Sequence, residues 1–476
     1  MADIDVRERG APADGEADAT GVLQDAIDDC AAAGGGTVRL PAGEYLSAPL
    51  FLRDDVRVHL ESGATLQATD DIDAYPGVEG RWEGVEREVY ASLVTGHDLE
   101  NVAVTGRGTL DGAGEAWWAA YREDETEHVL GRDRPYPGRL EYPRPRVVNL
   151  YDCEDVLVSG VTVRNSPSWT IHPVYCENVA VEGVTVENPE SSVNTDGINP
   201  DSCRDVRIAN CHVDVGDDCV TIKSGYDEDG RRVGEPCENV VVTNCTMRAG
   251  HGGVVVGSEM SGDVRNVVVS NCVFDGTDRG IRIKTRGGRG GVVEHVRASS
   301  LVMRDIGDAG LTVSMHYHDG KGDPDPDPVD EGTPRVRGVH LSDVTVDGAS
   351  RAALVEGLPE MPVEDVSLSN VRIRGVEEGL QVSHAAGVSV DDVTIAADDA
   401  SALDVRAVTD LELVRVRAPD PAPDVPACRL ADVEGALVHA CTASEGTGTF
   451  LELADCEDVA LSDNRLDAAD EAVVER

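Results

Sequence analysis

Short β-branched segments recur along the chain, each directly after an Asp or Asn: Val156-Leu157-Val158, Val179-Ala180-Val181, Val206-Arg207-Ile208, Val240-Val241-Val242 and Val267-Val268-Val269. The steps between their first residues are 23, 27, 34 and 27. Apolar and polar positions alternate within each segment, which is strand periodicity. Recurrence on this scale marks a repeat architecture. Gly and Asn stand at the corners and helical periodicity is nearly absent. The pattern therefore predicts an all-β chain wound as a parallel β-helix, one repeat per coil.

A second strand keeps the same register. Fourteen residues after Val206, Val240 and Val267 come Val220, Val254 and Ile281, and sixteen after come Ile222, Val256 and Ile283. These point inward. The odd offsets point outward and carry Thr221, Val255 and Arg282, then Lys223, Gly257 and Lys284. Asp217 and His251 share offset eleven, at the corner before that strand. Matching Gly197-Ile198 to Cys219-Val220 sets Asp196 one coil from Asp218. Four strings thus stack on successive coils: Asn194-Thr195-Asp196-Gly197, Gly216-Asp217-Asp218, Gly250-His251-Gly252 and Arg282-Ile283-Lys284. With strands about 4.8 Å apart, they place three carboxylates, an imidazole and two cations on one exposed stripe roughly 15 Å long, enough for a few sugar rings.

One domain is expected over 1–476. Residues 1–36 form an N-terminal cap region, 37–317 the catalytic coils and 318–476 further coils, since a solenoid absorbs length that would otherwise imply several domains. Asp18 and Thr20 can cap a short helix over Gly21 to Ala33 that Gly34-Gly35-Gly36 ends. Arg122 to Arg146 and Lys321 to Pro334 read as long loops, and Asp227 to Pro236 as an insertion. Cys153, Cys176, Cys203 and Cys237 each precede an anchor valine by three residues, while Cys211, Cys245 and Cys272 follow one by five. They read as interior ladders of free thiols, with no zinc spacing.

Ninety acids against forty-one bases give a net charge of −49, and lysine occurs only at 223, 284 and 321. Disorder is the usual reading of such charge, but here the acids are spread through regular repeats with 41 % hydrophobic residues. A carboxylate surface kept hydrated in concentrated salt accounts for it, and points to a halophilic source. That surface argues against nucleic acid and membrane partners. No apolar run reaches transmembrane length. The segment Met1 to Gly10 lacks an export signal, so a cytoplasmic location is expected if Met1 is the native start.

The four strings resemble those of glycoside hydrolase family 28, the polygalacturonases. So do Gln24-Asp25-Ala26-Ile27-Asp28, Pro41-Ala42-Gly43-Glu44-Tyr45, Gly106-Arg107-Gly108-Thr109-Leu110-Asp111-Gly112 and Asn165-Ser166-Pro167-Ser168-Trp169. The resemblance implies a right-handed parallel β-helix and metal-independent hydrolysis with inversion, without a cofactor. It assigns Asp217 as acid, Asp196 with Asp218 as the water-activating pair, and Arg282, Lys284 and Tyr317 as contacts to a uronate. Thr221-Ile222-Lys223-Ser224-Gly225 is similar to the bacterial exo-acting branch, and the insertion and the Arg122–Arg146 loop would close one end of a cleft.

The residues make chemical sense without that likeness. Inverting hydrolysis needs one protonated and one ionised carboxyl, typically about 6.5–9.5 Å apart. Crowding Asp196, Asp217 and Asp218 keeps one of them protonated. His251 sits within one coil of the acid, and Lys223, Arg282 and Lys284 suit a sugar carboxylate. Asn194 belongs to the same corner, either touching substrate or holding the turn. The resemblance implies a galacturonate-containing oligo- or polysaccharide as partner, cleaved at α-1,4 linkages. A rhamnogalacturonan hydrolase, a calcium-dependent pectate lyase and a non-catalytic glycan-binding β-helix are the alternatives. Oligomeric state is left open.

Overall fold

The computed structural model describes residues 2–122, 140–317, 326–398, 400–419, 421–422 and 424–476. They form a parallel β-helix that divides into two compact units, Met1–Gly250 and His251–Arg476.

In the first unit the anchor valines stack in register: Val102 on Val156, Val156 on Val179, Val179 on Val206 and Val206 on Val240. The Asp or Asn before each one is there for its backbone. Asn101, Asp155, Asn178, Asp205 and Asn239 all hold φ between 55° and 58°, the left-handed region that short polar side chains tolerate best. Their side chains also bond from coil to coil, Asn101 to Asp55 at 2.7 Å and Asn239 to Asp205 at 2.9 Å. Each turn thus contributes both the corner and a polar ladder along the outside.

The thiols fill the same repeat inside. Cys153, Cys176, Cys203 and Cys237 are free and buried. Cys176 donates to Leu150 O at 3.3 Å and Cys203 to Pro173 O at 3.3 Å, in each case one coil back.

The N-terminal helix, α1, runs Thr20–Ala32, one residue earlier than expected at each end, and buries Leu23, Ala26, Ile27 and Cys30. The Asp18 carboxylate accepts from Thr20 N at 2.9 Å, but the N-cap position is Ala19 and no side chain caps the helix as expected. Two further helices were not foreseen: α2, Glu115–Arg122, and α3, Asp227–Val233, which ends at Gly234 with φ 67°. The insertion is therefore folded rather than a loop. No helix among the described residues is long and apolar enough to cross a membrane.

An antiparallel hairpin was also missed. Strands β1 (Gly77–Trp82) and β2 (Val85–Tyr90) pair only with each other. Trp82, Val89 and Tyr90 pack with Tyr75, Trp117 and Leu140 in a satellite core, where the Tyr75 ring meets Trp117 edge-on at 5.0 Å. The insertion docks on this hairpin: Tyr226 N donates to Gly84 O at 3.1 Å, and Arg232 bridges Glu86 and Asp229. Most of the loop read over Arg122–Arg146 lies outside the described residues. Its last part is no free loop, since Leu140, Arg144 and Arg146 are buried.

The second strand of the coil is β3 (Val220–Ile222) in the first unit, with β4 (Val254–Gly257), β5 (Arg279–Lys284) and β6 (Ala309–Ser314) in the second. Val254, Val255, Val256 and Gly257 pair with Ile281, Arg282, Ile283 and Lys284, the register read from the sequence. The inward members are buried as expected. In the second unit the anchor ladder continues from Val267 through Val296 and Val339 to Val366.

Candidate active site

In the first unit the coil match is realised. Gly197 N donates to Asp218 O at 3.0 Å and Ile198 N to Cys219 O at 3.1 Å, so Asp196 and Asp218 start adjacent rungs. An oxygen from each of Asp196, Asp217 and Asp218 lies within 4.8 Å of the others. Asp196 and Asp218 are 2 % and 1 % exposed; Asp217 is half-buried. The stripe is thus not the exposed one expected. Thr221 is fully buried, and Lys223 and Lys284 nearly so, while Arg282 is half-buried and His251 exposed.

The aspartates are held by specific donors. Asp196 Oδ2 accepts from Asn199 Nδ2 at 2.9 Å and from Thr221 Oγ1 at 3.0 Å. Asp217 Oδ1 accepts from Asp218 N at 2.9 Å. The tight corner depends on two glycines. A Cβ at Gly216 would meet Pro189 O and Ser192 O at 2.7 Å, and one at Gly250, where φ is 77°, would meet Asp217 O at 2.2 Å. The carboxylates stand closer together than the gap expected for inversion. Among the described residues they are also the one group with donor atoms near enough for a metal. An all-oxygen set of this kind suits a hard cation as well as acid–base work.

Beside the aspartates lies a buried assembly that sequence reasoning missed. Trp82 and Trp169 stack at 5.1 Å and 16°. Arg146 lies over both rings, 4.9 and 5.4 Å from the centroids, and the Lys223 ammonium sits 4.7 Å from Trp169. Arg144 donates to Pro167 O, Val193 O and Asn194 Oδ1 at 2.7, 2.9 and 2.7 Å. That engages the Asn194 side chain and holds its corner, where φ is 54°. Arg81 reaches from β1 to Asp201, Nη1 to Oδ1 at 2.8 Å, and both are buried. The available signal was composition: all four tryptophans fall between 82 and 169.

His172 completes this assembly. It is fully buried, and burial drives its imidazole down to about 4 from 6.5. Its Nε2 lies 3.6 Å from Asp201 Oδ2. That gap is beyond hydrogen-bond length, so the carboxylate, already claimed by Arg81, does not keep the ring protonated. Asp201 itself is pushed up most strongly by burial, but the Arg81 charge, together with His172 and Lys223, leaves it below the usual carboxylate range.

In the second unit, Arg282 and Lys284 come together with Tyr317. The guanidinium carbon and the ammonium lie 5.6 and 5.3 Å from the ring centroid. Tyr317 N donates to Thr285 O at 3.0 Å, which fixes the ring beside the strand end. Gly257 holds φ 90°, and a Cβ there would strike Lys284 O at 2.3 Å. His251 is exposed. Two arginines near this pair are structural: Arg279 is bridged to Asp308 at 2.7 Å, and buried Arg289 donates to Ser258 O at 2.8 Å.

The sequence model for glycosyl hydrolases family 28 matches residues 30–390. A probable polygalacturonase of Vitis vinifera is 34 % identical over 76 % of this chain and 72 % of its own length. An endo-polygalacturonase of Pectobacterium carotovorum is 26 % identical over 75 % of this chain and 84 % of its own. The crystal structure of a hyperthermoactive exopolygalacturonase from Thermotoga maritima superposes with a TM-score of 0.75 at 33 % identity, covering 83 % of this chain and 91 % of that one.

Proposed function

Because the chain belongs to glycosyl hydrolase family 28, we propose that it hydrolyses α-1,4-galacturonosyl linkages of polygalacturonate from chain ends, with inversion and without a metal. The observation that carries this reading is the trio of buried or half-buried aspartates with oxygens within 4.8 Å. In this reading Asp217 protonates the leaving oxygen. Asp196, fixed by Asn199 and Thr221, and Asp218 orient and deprotonate the attacking water. Arg282, Lys284 and Tyr317 bind a substrate carboxylate, where the charged fork and the ammonium supply strong hydrogen bonds. Lys223 supplies a third cation, His251 assists the acid, and Asn194 shapes the corner through Arg144.

Likeness to an exopolygalacturonase at 33 % identity supports action at chain ends. An endo-acting relative is also similar, so chromatography of early products decides: monomer or dimer alone supports end action, and a ladder of oligomers overturns it. The close carboxylates favour a second reading, retention through a glycosyl-enzyme, since retaining pairs stand about 5–5.5 Å apart. Three acids rather than two support inversion, because two can share the water. Proton NMR of the first-formed anomer separates the readings, and unchanged turnover in chelator supports metal independence. With a net charge of −49, the enzyme is proposed to work in concentrated salt.

A further inference from the structure

The outward row that carries Arg282 and Lys284 does not stop there. Within the second unit, Arg282 pairs with Thr312 and Lys284 with Ser314. Thr312 pairs with Leu354 and Ser314 with Glu356, then Leu354 with Gln381 and Glu356 with Ser383. Gln381 and Ser383 pair in turn with Asp404 and Arg406. The same face thus runs four coils beyond Lys284, on the order of 19 Å at the usual strand spacing. A cavity of about 360 Å³ opens along it, lined by His316, Glu356, Gln381, Ser383, Asp404 and Arg406 among others. His316 is the neighbour of Tyr317 in sequence, so one short segment flanks both places.

The chemistry changes along this row. It begins with two cations and ends nearly neutral. Arg406 is turned onto Asp404 by two parallel bonds of 3.0 Å, Nε to Oδ1 and Nη2 to Oδ2. Glu356 accepts from Ser314 Oγ at 3.1 Å and has no ion-pair partner among the described residues. The lining therefore carries one uncompensated negative charge, with a hydroxyl, the Gln381 amide, whose Nε2 also donates to Glu378 Oε2 at 3.1 Å, and imidazoles, of which His316 bonds Gly357 O through Nε2 at 2.9 Å. Buried Thr312, between Arg282 and Leu354 on the row, keeps an Oγ1 with no hydrogen-bond partner among the described residues. Such a lining suits hydroxyl groups and repels a carboxylate.

We infer that this cavity is a binding site for an uncharged pyranose, separate from the groups that read the uronate. The inference rests on the polygalacturonase reading, and it adds that the enzyme accepts chains in which galacturonate is joined to neutral sugar. The probe is α-1,4-galactotriose, which lacks every carboxylate. Calorimetric titration into the full-length protein in molar salt should show binding. Gln381→Ala should weaken it about tenfold, the scale of one lost hydrogen bond, with trigalacturonate hydrolysis and melting temperature unchanged. Lys284→Ala should leave galactotriose binding as it was. Glu356→Gln should add a second digalacturonate site to the one at the cation pair, where wild type shows that one alone. The inference is overturned if galactotriose does not bind while galacturonate is cleaved normally. It is also overturned if binding is lost in Lys284→Ala and kept in Gln381→Ala, which would put the sugar at the cation pair. Failure to cleave any galacturonate would instead refute the function proposed above.

Discussion

Replacing Asp201 by Asn removes one charge and almost no volume from the buried assembly beside the aspartates. The pair it breaks has Arg81 Nη1 2.8 Å from Asp201 Oδ1, with both side chains at 0 % exposure. At that distance the gross attraction is about 6 kcal/mol with an effective dielectric of 20. Asparagine keeps a carbonyl acceptor, and Ser202 Oγ, 2.8 Å from the same Nη1, keeps a second contact. What remains is the cost of a guanidinium buried without its counter-charge, about 3–5 kcal/mol. Arg81→Met should cost a similar amount, because it strands the carboxylate. The double variant Arg81→Met/Asp201→Leu should cost far less than the sum, since an apolar pair of like volume often replaces a buried ion pair without loss. Thermal and urea unfolding of wild type, Arg81→Met, Asp201→Leu and the double variant in the same molar salt form a double-mutant cycle, with Asp201→Asn measured beside them. A coupling energy of at least about 2 kcal/mol is expected. Additive losses, or a cost below about 1 kcal/mol for Asp201→Asn, would show that the hairpin is not pinned through this pair.

Asp217→Asn should lower kcat by about 10²–10⁴ fold with unchanged melting, as removal of a general acid does; near-full activity would reassign the acid. Lys284→Ala should lower kcat/KM for galacturonate oligomers by about 10–150 fold, equivalent to 1.5–3 kcal/mol for a charged hydrogen bond, and much less for methyl-esterified oligomers; equal losses would mean that it does not read the carboxylate. In dilute buffer the wild type should lose structure, recovering in molar KCl as repulsion among its carboxylates is screened; full stability without salt would refute a halophilic surface. His172 makes stability depend on acid. Its folded value, about 4, lies below the unfolded 6.5, so the unfolded chain binds the proton first, and stability falls as the pH drops from about 6.5 through 4. The contribution is about 3 kcal/mol by pH 4, so His172→Phe should flatten the slope of unfolding free energy against pH over that window; an identical slope would place the titration elsewhere.

What the sequence revealed of the fold is what repeats in it. The Asp or Asn before each valine run is dictated by a left-handed corner, and because every coil needs that corner, the residue returns and fixes the register. From there the pairing of Val254 with Ile281, and of Ile198 with Val220, follows by counting. The gathering of Asp196, Asp217 and Asp218 was legible for the same reason. The hairpin Gly77–Tyr90 occurs once, so no repeat announces it. Arg81 and Asp201 meet across 120 positions, which no local pattern records. The burial of Thr221, Lys223 and Lys284 is invisible for a related reason. Period-two alternation tells which face a side chain takes, and cannot tell what else comes to lie on that face.

In so acidic a chain, three lysines against 38 arginines is a strong preference, and the structure gives it a physical reason. Where the coils must be tied to the segments outside them, the tie is a planar fork with several donors. Arg144 reaches three acceptors at once, Arg81 holds a carboxylate and a hydroxyl, and Arg146 lies over two indole rings. An ammonium on a flexible stem cannot span such a set. The two lysines among the described residues instead stand at the ends of outward rows, each against an aromatic face, Lys223 on Trp169 and Lys284 on Tyr317. There a compact charge sits against the face of an aromatic ring. Arginine therefore ties this molecule together, and the two lysines stand at the places where the proposed function puts the substrate.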